Sequence, residues 1–248
     1  MVGGSFSRCF IYPIGYNDYT DKINFMAKQK KNIDELPYKK KSWLYRFIKR
    51  SGDIFFSSIL IIILSPLLLI LTLIVWISTK GNPIFKDMRV GYKHKPIGVL
   101  KFRTMYIDAE TNIDKYLNKK QKRQWKKERK VNDDPRITPT GKLLRRTSLD
   151  ELPQLFNIFI GNMTFVGPRP ITEHEVTEYF SEEEQKILLS CRPGLIGYWA
   201  VMGRSNVSFS SGERQKLELD YFKLRSTLFD ISLIFRVIPA VLKGKGAK

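Results

Sequence analysis

Twenty-four consecutive residues, Ile54 to Ile77, carry no charge. A helix of that length reaches about 36 Å, enough to cross a hydrocarbon core about 30 Å thick, so the chain is expected on a membrane. Cations crowd both ends of the run: Lys39 to Lys41, Arg46, Lys49 and Arg50 precede it, and Lys80, Lys86, Arg89, Lys93 and Lys95 follow. The positive-inside tendency asks for both flanks on the cytoplasmic side. Ser65 and Pro66 stand at the middle, where proline removes a backbone donor and crowds the preceding turn. A helix that enters, bends there and returns to the same face meets both demands, and Ser65 can bond a carbonyl released by the break. An ordinary kinked spanning helix is the alternative.

The rest of the composition narrows the chemistry. With 43 Lys+Arg against 24 Asp+Glu in 248 residues the net charge is +19, which calls for an acidic partner. Two distant cysteines, Cys9 and Cys191, make no disulfide scaffold, and two histidines, His94 and His174, supply little for zinc or Ser-His-Asp chemistry. Carboxylate or phosphate chemistry is favoured. The organisation reads as a polar N-terminal extension (1–42) without a secretory signal, a membrane helix (43–80) and a soluble domain (81–248). Trp43, Tyr45 and Phe47 among cations suit the headgroup level of an anionic bilayer.

Within 81–248, a turn and short extended segments are expected over Gly81 to Val90, a strand over Pro96 to Met105, and a strongly basic helix over Lys115 to Lys130 that ends before Pro135. Arg214 to Leu242 has apolar residues at helical spacing, fit for core or for a membrane surface. The fold class is therefore α+β, mostly helical, with a re-entrant membrane hairpin, short strands and interfacial amphipathic helices.

Four segments can carry chemistry. Arg145-Arg146-Thr-Ser-Leu-Asp150-Glu151-Leu-Pro153 sets two cations before two adjacent carboxylates. Asp150 as N-cap puts Pro153 at the third helical position, where its missing N–H costs nothing. The helix dipole stabilises such carboxylates as anions, suiting a metal ligand or nucleophile as well as a plain cap. Lys101 and Arg103, two apart on a strand, share a face at about 7 Å, a spacing matched to two phosphates. Val166-Gly-Pro168-Arg169-Pro170 presents an arginine on a stiff backbone. Arg192-Pro-Gly-Leu-Ile-Gly-Tyr198-Trp199 and Gly203-Arg204-Ser-Asn206 offer aromatics and an arginine for a nucleotide. No GxxxxGK[ST], GxGxxG or Asp-x-Asp signature is present, which weakens ATPase, dinucleotide and many soluble glycosyltransferase readings.

Taken in order, KRSGD with the Ser-Pro hairpin, NPIFKDMRVG, KFRTM, DPRITPTGKLLRRTSLDELPQLFNIFIGNMTFVGPRP and RPGLIGYWAVMGRSN make the stretch from Lys49 to Lys248 resemble the bacterial sugar transferases, the monotopic phosphoglycosyl transferases. Lys86-Asp87 departs from the bulkier or Gln-containing segment expected there. The resemblance implies a re-entrant helix broken at Ser65-Pro66, a catalytic domain on the cytoplasmic face of the bacterial inner membrane, Mg2+ held at Asp150, a UDP-sugar donor and a polyprenol phosphate acceptor. It fits Asp150 and Glu151 to the family's catalytic pair, with Asp150 as nucleophile and Lys101, Arg103, Arg145, Arg169 and Arg204 as substrate-binding cations. Membrane phospholipid is the expected partner of the basic surface, with nucleic acid excluded. A homodimer is left open. A basic nucleic-acid binder and a non-catalytic membrane scaffold are the rival readings; the acidic pair and the stiffly held arginines speak against the second.

Overall fold

The computed structural model describes residues 41–109, 111–128, 131, 133–202 and 212–242. The expectations for 1–40 and for Arg204 lie outside the described residues. Helix α1, Trp43–Thr79, has 37 residues and is the one described helix long and apolar enough to cross a membrane. The Ser42 hydroxyl starts it by accepting the Tyr45 N–H at 3.2 Å. The helix runs without interruption through Pro66. Proline cannot donate to the Ile62 carbonyl, and the Ser65 hydroxyl takes that place at 2.8 Å.

Asp53, Ser57, Leu68, Leu71, Val75 and Thr79 are buried along α1, a stripe at helical spacing that faces the soluble domain on both sides of Pro66. Phe55, Ile62, Ile63, Leu69 and Ile77 on the other side are more than half exposed. Where lipid is the competing solvent, apolar contact alone holds a helix weakly, so polar contacts set the pose. They are concentrated near the N-terminal end. Lys49 Nζ and the Tyr45 hydroxyl both donate to Asp230 Oδ2, at 2.5 and 2.9 Å. Arg50 donates to the carbonyls of Ile158 and Phe159 at 2.7 Å each, capping a helix of the soluble domain. Asp53 accepts the Phe165 N–H at 3.1 Å.

Strands β1 (Ile84–Val90) and β2 (Pro96–Phe102) form an antiparallel hairpin, with Ile84 opposite Phe102 and Val90 opposite Pro96. The expected strand ends at Phe102 rather than Met105, because the Arg103 N–H turns to the Pro83 carbonyl. The basic segment divides into α2 (Ile113–Tyr116) and α3 (Lys119–Glu128). Asn118 causes the division by exchanging bonds with Gln121, backbone to side chain in both directions, at 2.9 and 3.1 Å.

Helix α4 (Pro139–Thr147) begins at the Thr138 cap and ends at Ser148 in left-handed backbone, φ 57°. A 3-10 turn, Leu149–Glu151, leads to α5, Gln154–Ile160. Here the expectation needs correction: Asp150 lies in the 3-10 turn and caps no α-helix, while Pro153 stands at the N-cap of α5 with no side-chain cap. The left-handed Ser148 ends one helix abruptly, and the proline delays the next.

The Asn157 side chain on α5 acts as a substitute strand, accepting the Leu100 N–H and donating to the Gly98 carbonyl, both at 2.8 Å. Strands β3 (Thr164–Val166) and β4 (Gly194–Ile196) pair in parallel, with α6 (Glu173–Tyr179) and α7 (Glu182–Leu188) between them in sequence. A Cβ on Gly194 would meet the Gly167 nitrogen at 2.1 Å, so this crossing requires glycine. Short α8 (Tyr198–Met202) is followed by α9 (Glu213–Leu224) and α10 (Thr227–Leu242). The helical run expected from Arg214 onward is thus two helices. Arg225 adopts ψ 126° and Ser226 restarts the helix, its hydroxyl accepting the Phe229 N–H at 3.1 Å.

The domain core gathers Val90, Val166, Ile171, Val176, Phe180, Leu188, Tyr221, Phe222 and Leu233. A second cluster matters for position. Leu68, Leu71 and Val75 of α1 pack with Phe102 and Leu144, and Leu149 and Leu152 lie against them.

Candidate active site

Alternation on β1 turns Asp87 and Arg89 inward while Lys86 and Met88 face out. Cross-strand register brings Lys101 of β2 to the same face. Asp87 Oδ2 receives Arg89 at 2.7 Å and Lys101 at 2.9 Å, and Arg89 also reaches Glu175 at 3.4 Å. Burial would raise the Asp87 carboxyl, but the Arg89 hydrogen bond and the Lys101 charge outweigh it and hold the group below the usual range. The site is therefore braced by an anion that keeps two cations close together.

The end of β1 joins the proline-rich segment through a Val90 N–H bond to the Ile171 carbonyl, 2.9 Å. This contact brings Arg169 to the hairpin. One cleft is lined by Asp87, Arg89, Lys101, Glu151, Gln154, Arg169 and Trp199. The Arg169 guanidinium lies 5.4 Å from the Trp199 ring centroid. Trp199 and the Gly197 beside it supply an aromatic wall to the cleft.

Asp150 precedes Glu151 in the 3-10 turn and is partly buried. Burial raises its carboxyl above the ordinary value and the Glu151 charge adds to that, while Lys101 and Arg145 oppose. Arg145 is itself held in place: its Nε donates to the Thr104 hydroxyl at 2.9 Å. Thr104 in turn is locked to α4, since a Cβ on Gly141 would meet its carbonyl at 2.1 Å. Burial lowers the Arg145 guanidinium, against the charges of Asp150 and Asp134, which raise it. The arrangement places a partly buried carboxylate, its charge disfavoured by burial, among fixed cations, an environment suited to a nucleophile acting on phosphate.

The structure brings Lys101, Glu151 and Arg169 together in the cleft, with Asp150 and Arg145 beside it. Arg103 lies elsewhere: its Nε donates to the Asn82 carbonyl at 2.8 Å and its guanidinium covers Phe85. Sequence reasoning passed over Asp87 as an ion-pair hub, and Asn157, Asp53 and Asp230 as joints. The Lys86-Asp87 departure was the visible signal for the first. Mg2+ normally keeps few protein ligands, one or two carboxylates plus substrate phosphates. Among the described residues no group of three His, Cys, Asp or Glu forms a cage, and the adjacent Asp150 and Glu151 fit that sparse mode.

Residues 44–244 match the family model described as bacterial sugar transferase. The chain belongs to the bacterial sugar transferases. It is 41% identical over 82% of its length to an uncharacterized sugar transferase of Haemophilus influenzae, of which the match spans 42%. It is 38% identical over 80% of its length to the exopolysaccharide production protein ExoY of Sinorhizobium fredii, spanning 87% of that protein. It is 34% identical over 83% of its length to the UDP-glucose:undecaprenyl-phosphate glucose-1-phosphate transferase of Escherichia coli, spanning 42% of it. The match thus covers less than half of two of these bacterial sugar transferases and most of the third.

Proposed function

We propose that this chain moves a sugar 1-phosphate from a UDP-sugar to undecaprenyl phosphate and releases UMP, opening the membrane stage of exopolysaccharide, capsule, O-antigen or glycoprotein glycan assembly. Family membership and the names of the relatives support the reaction class. One structural observation carries the reading beyond likeness. The residues flanking the acidic pair, Leu149 and Leu152, pack against the apolar cluster that Leu68, Leu71 and Val75 of the membrane helix form with Phe102 and Leu144. A carboxylate pair set on a cluster shared with a bilayer element suits a water-soluble donor and a lipid acceptor at one place.

The chemistry then runs in two displacements. An Asp150 carboxylate oxygen attacks the phosphorus that bears the sugar; the bond to the UMP oxygen breaks and an acyl-phosphate sugar remains on Asp150. Arg145 and Lys101 stabilise charge gathering on the phosphate oxygens, with Arg169 at the far wall of the cleft. In the second displacement a phosphate oxygen of the polyprenol attacks the same phosphorus and frees the Asp150 carboxylate. Glu151 orients this acceptor and takes its proton if it arrives protonated. Asp150 and the donor's phosphate oxygens would hold Mg2+, which when bound offsets phosphate charge.

For topology, α1, continuous through Pro66, would kink there without breaking, dip into the cytoplasmic face of the inner membrane and leave on the same side. Cations at both ends and domain contacts on both halves support this. The basic surface adds attraction to anionic phospholipid, about 1 kcal/mol per cation near the headgroups. The test is a panel of UDP-sugars incubated with the detergent-solubilised chain, Mg2+ and undecaprenyl phosphate. UMP release with at least one sugar is expected. No UMP from any of them, together with salt-sensitive retention on DNA, would replace this reading with the nucleic-acid one.

A further inference from the structure

Glu218 lies on α9 with none of its surface exposed. Its Oε2 accepts the Arg169 backbone N–H at 3.2 Å. Its Oε1 is buried too and has no hydrogen-bond partner. An anion is costly to keep in that state, because half of the carboxylate has exchanged water for nothing. Above it, two guanidinium groups share one aromatic ring: Arg169 and Arg214 lie 5.4 and 4.3 Å from the Trp199 centroid. Trp199 and Arg169 both line the cleft. Glu218 is thus the inner counter-charge of a cationic wall in which Arg169 already serves the displacements above, while Glu218 and Arg214 have no part in them.

We propose that Glu218 is a positioning residue for donor binding: it holds the Arg169 segment by its backbone, and by gaining or losing a proton on Oε1 it sets how much positive charge Arg169 and Arg214 present to a diphosphate in the cleft. The choice of ligand rests on the function proposed above; the proton-dependent role does not. The charged groups facing Glu218 are Arg169 from the loop before α6, Arg214 from its own helix and Glu175 from α6, with Arg89 of β1 paired to Glu175 behind. Burial raises the Glu218 carboxyl to about 7, and the Glu175 charge adds to that. The Arg169 N–H bond and the charges of Arg214 and Arg169 pull the other way without cancelling it.

The sign follows. Below about pH 7 Glu218 is neutral and the wall keeps its full positive charge; above it, the carboxylate offsets one cation. The diphosphate diester of a UDP-sugar titrates nowhere near this range. Donor affinity should therefore fall by about fivefold from pH about 6 to pH about 8, the effect of a unit charge several ångströms away at intermediate dielectric.

The test uses the full chain in detergent carrying Asp150→Asn to prevent turnover, titrated with UDP-glucose and, in parallel, UDP-galactose. With Glu218 intact, the dissociation constant should rise between the two pH values. Adding Glu218→Gln preserves an acceptor for the Arg169 N–H but removes the charge, so binding should stay tight at both. A pH dependence that is the same in both chains, or none with Glu218 intact, overturns the proposal. A second measurement needs no Glu218 variant. Infrared difference spectra between the same pH values, on chain labelled with 13C only in glutamate, should show a protonated carboxyl band lost as pH rises, since exposed glutamates are ionised throughout. A glutamate signal unchanged across that range refutes the proton-dependent role. Failure of both UDP-sugars to bind under any condition counts against the proposed function, and the infrared result still decides Glu218 separately.

Discussion

Asp150 is held where its charge is disfavoured, and that gives it measurable behaviour. Its carboxyl is raised by burial and by Glu151, so the charged form is less favoured in the folded than in the unfolded chain; the native state is penalised above the folded pKa and relieved as pH falls toward the ordinary aspartate value. Asp150→Asn removes that penalty. At pH 7 the variant should melt about 2–4 °C higher, the shift that about 1 kcal/mol produces in a domain of this size. Turnover should fall by about a thousandfold or more. Lower stability with normal turnover would show a plain structural acid instead. At this scale the sequence displayed the acidic pair, the cations before it and the arginine between prolines, because each is a local string. It could not display the Asp87–Lys101 pair, since that contact depends on strand register across 14 positions. Nor could it show that Arg103 turns away to Asn82.

Among the elements, the joint between α1 and α10 is the most exposed to a single change. Asp230 receives Lys49, Tyr45 and Tyr221, and it is buried. Asp230→Ala leaves the half-buried Lys49 ammonium and the Tyr45 hydroxyl without their acceptor, while Tyr221 keeps the Val166 carbonyl, at a cost of about 2 kcal/mol or more. The soluble domain should unfold at lower denaturant concentration, and α1 should become open to protease near Arg46. An unchanged midpoint would show that lipid, not this joint, fixes the helix. The long apolar helix was legible from hydropathy, and so were the extended segments that become β1 and β2, though not their pairing. The break at Arg225 and the split at Asn118 were not, because neither carries proline or glycine, and the capping bonds of Ser226 and Asn118 decide them. The start of α5 was misplaced for a related reason: the left-handed Ser148 interrupts the pattern before Asp150, and nothing in its residue type demands that conformation.

For the molecule as a whole, the domain touches α1 on both sides of Pro66, and a helix standing upright through the bilayer would carry half of those contacts into lipid. Single cysteines placed at Ser42 and at Lys86, both exposed, in a chain whose Cys9 and Cys191 are replaced, should both react with an impermeant thiol reagent only after spheroplasts are opened. Labelling of the Ser42 position from the periplasmic side would establish a spanning helix. The apolar run and its cationic flanks made a membrane protein readable in the sequence; the cluster that the acidic turn shares with that helix was not, because it joins residues about eighty positions apart.

The claim on which the rest depends is that Asp150 carries the phosphosugar covalently. Intact-protein mass spectrometry of the Glu151→Gln chain, incubated with a turned-over UDP-sugar and Mg2+ but without polyprenol phosphate, measures this directly. A mass increase equal to one sugar phosphate, sensitive to hydroxylamine, mapped to Asp150 and missing when Asp150 is Asn, is the expected result. An unmodified mass in a chain that still releases UMP only when both substrates are present would show a single direct displacement and contradict the account.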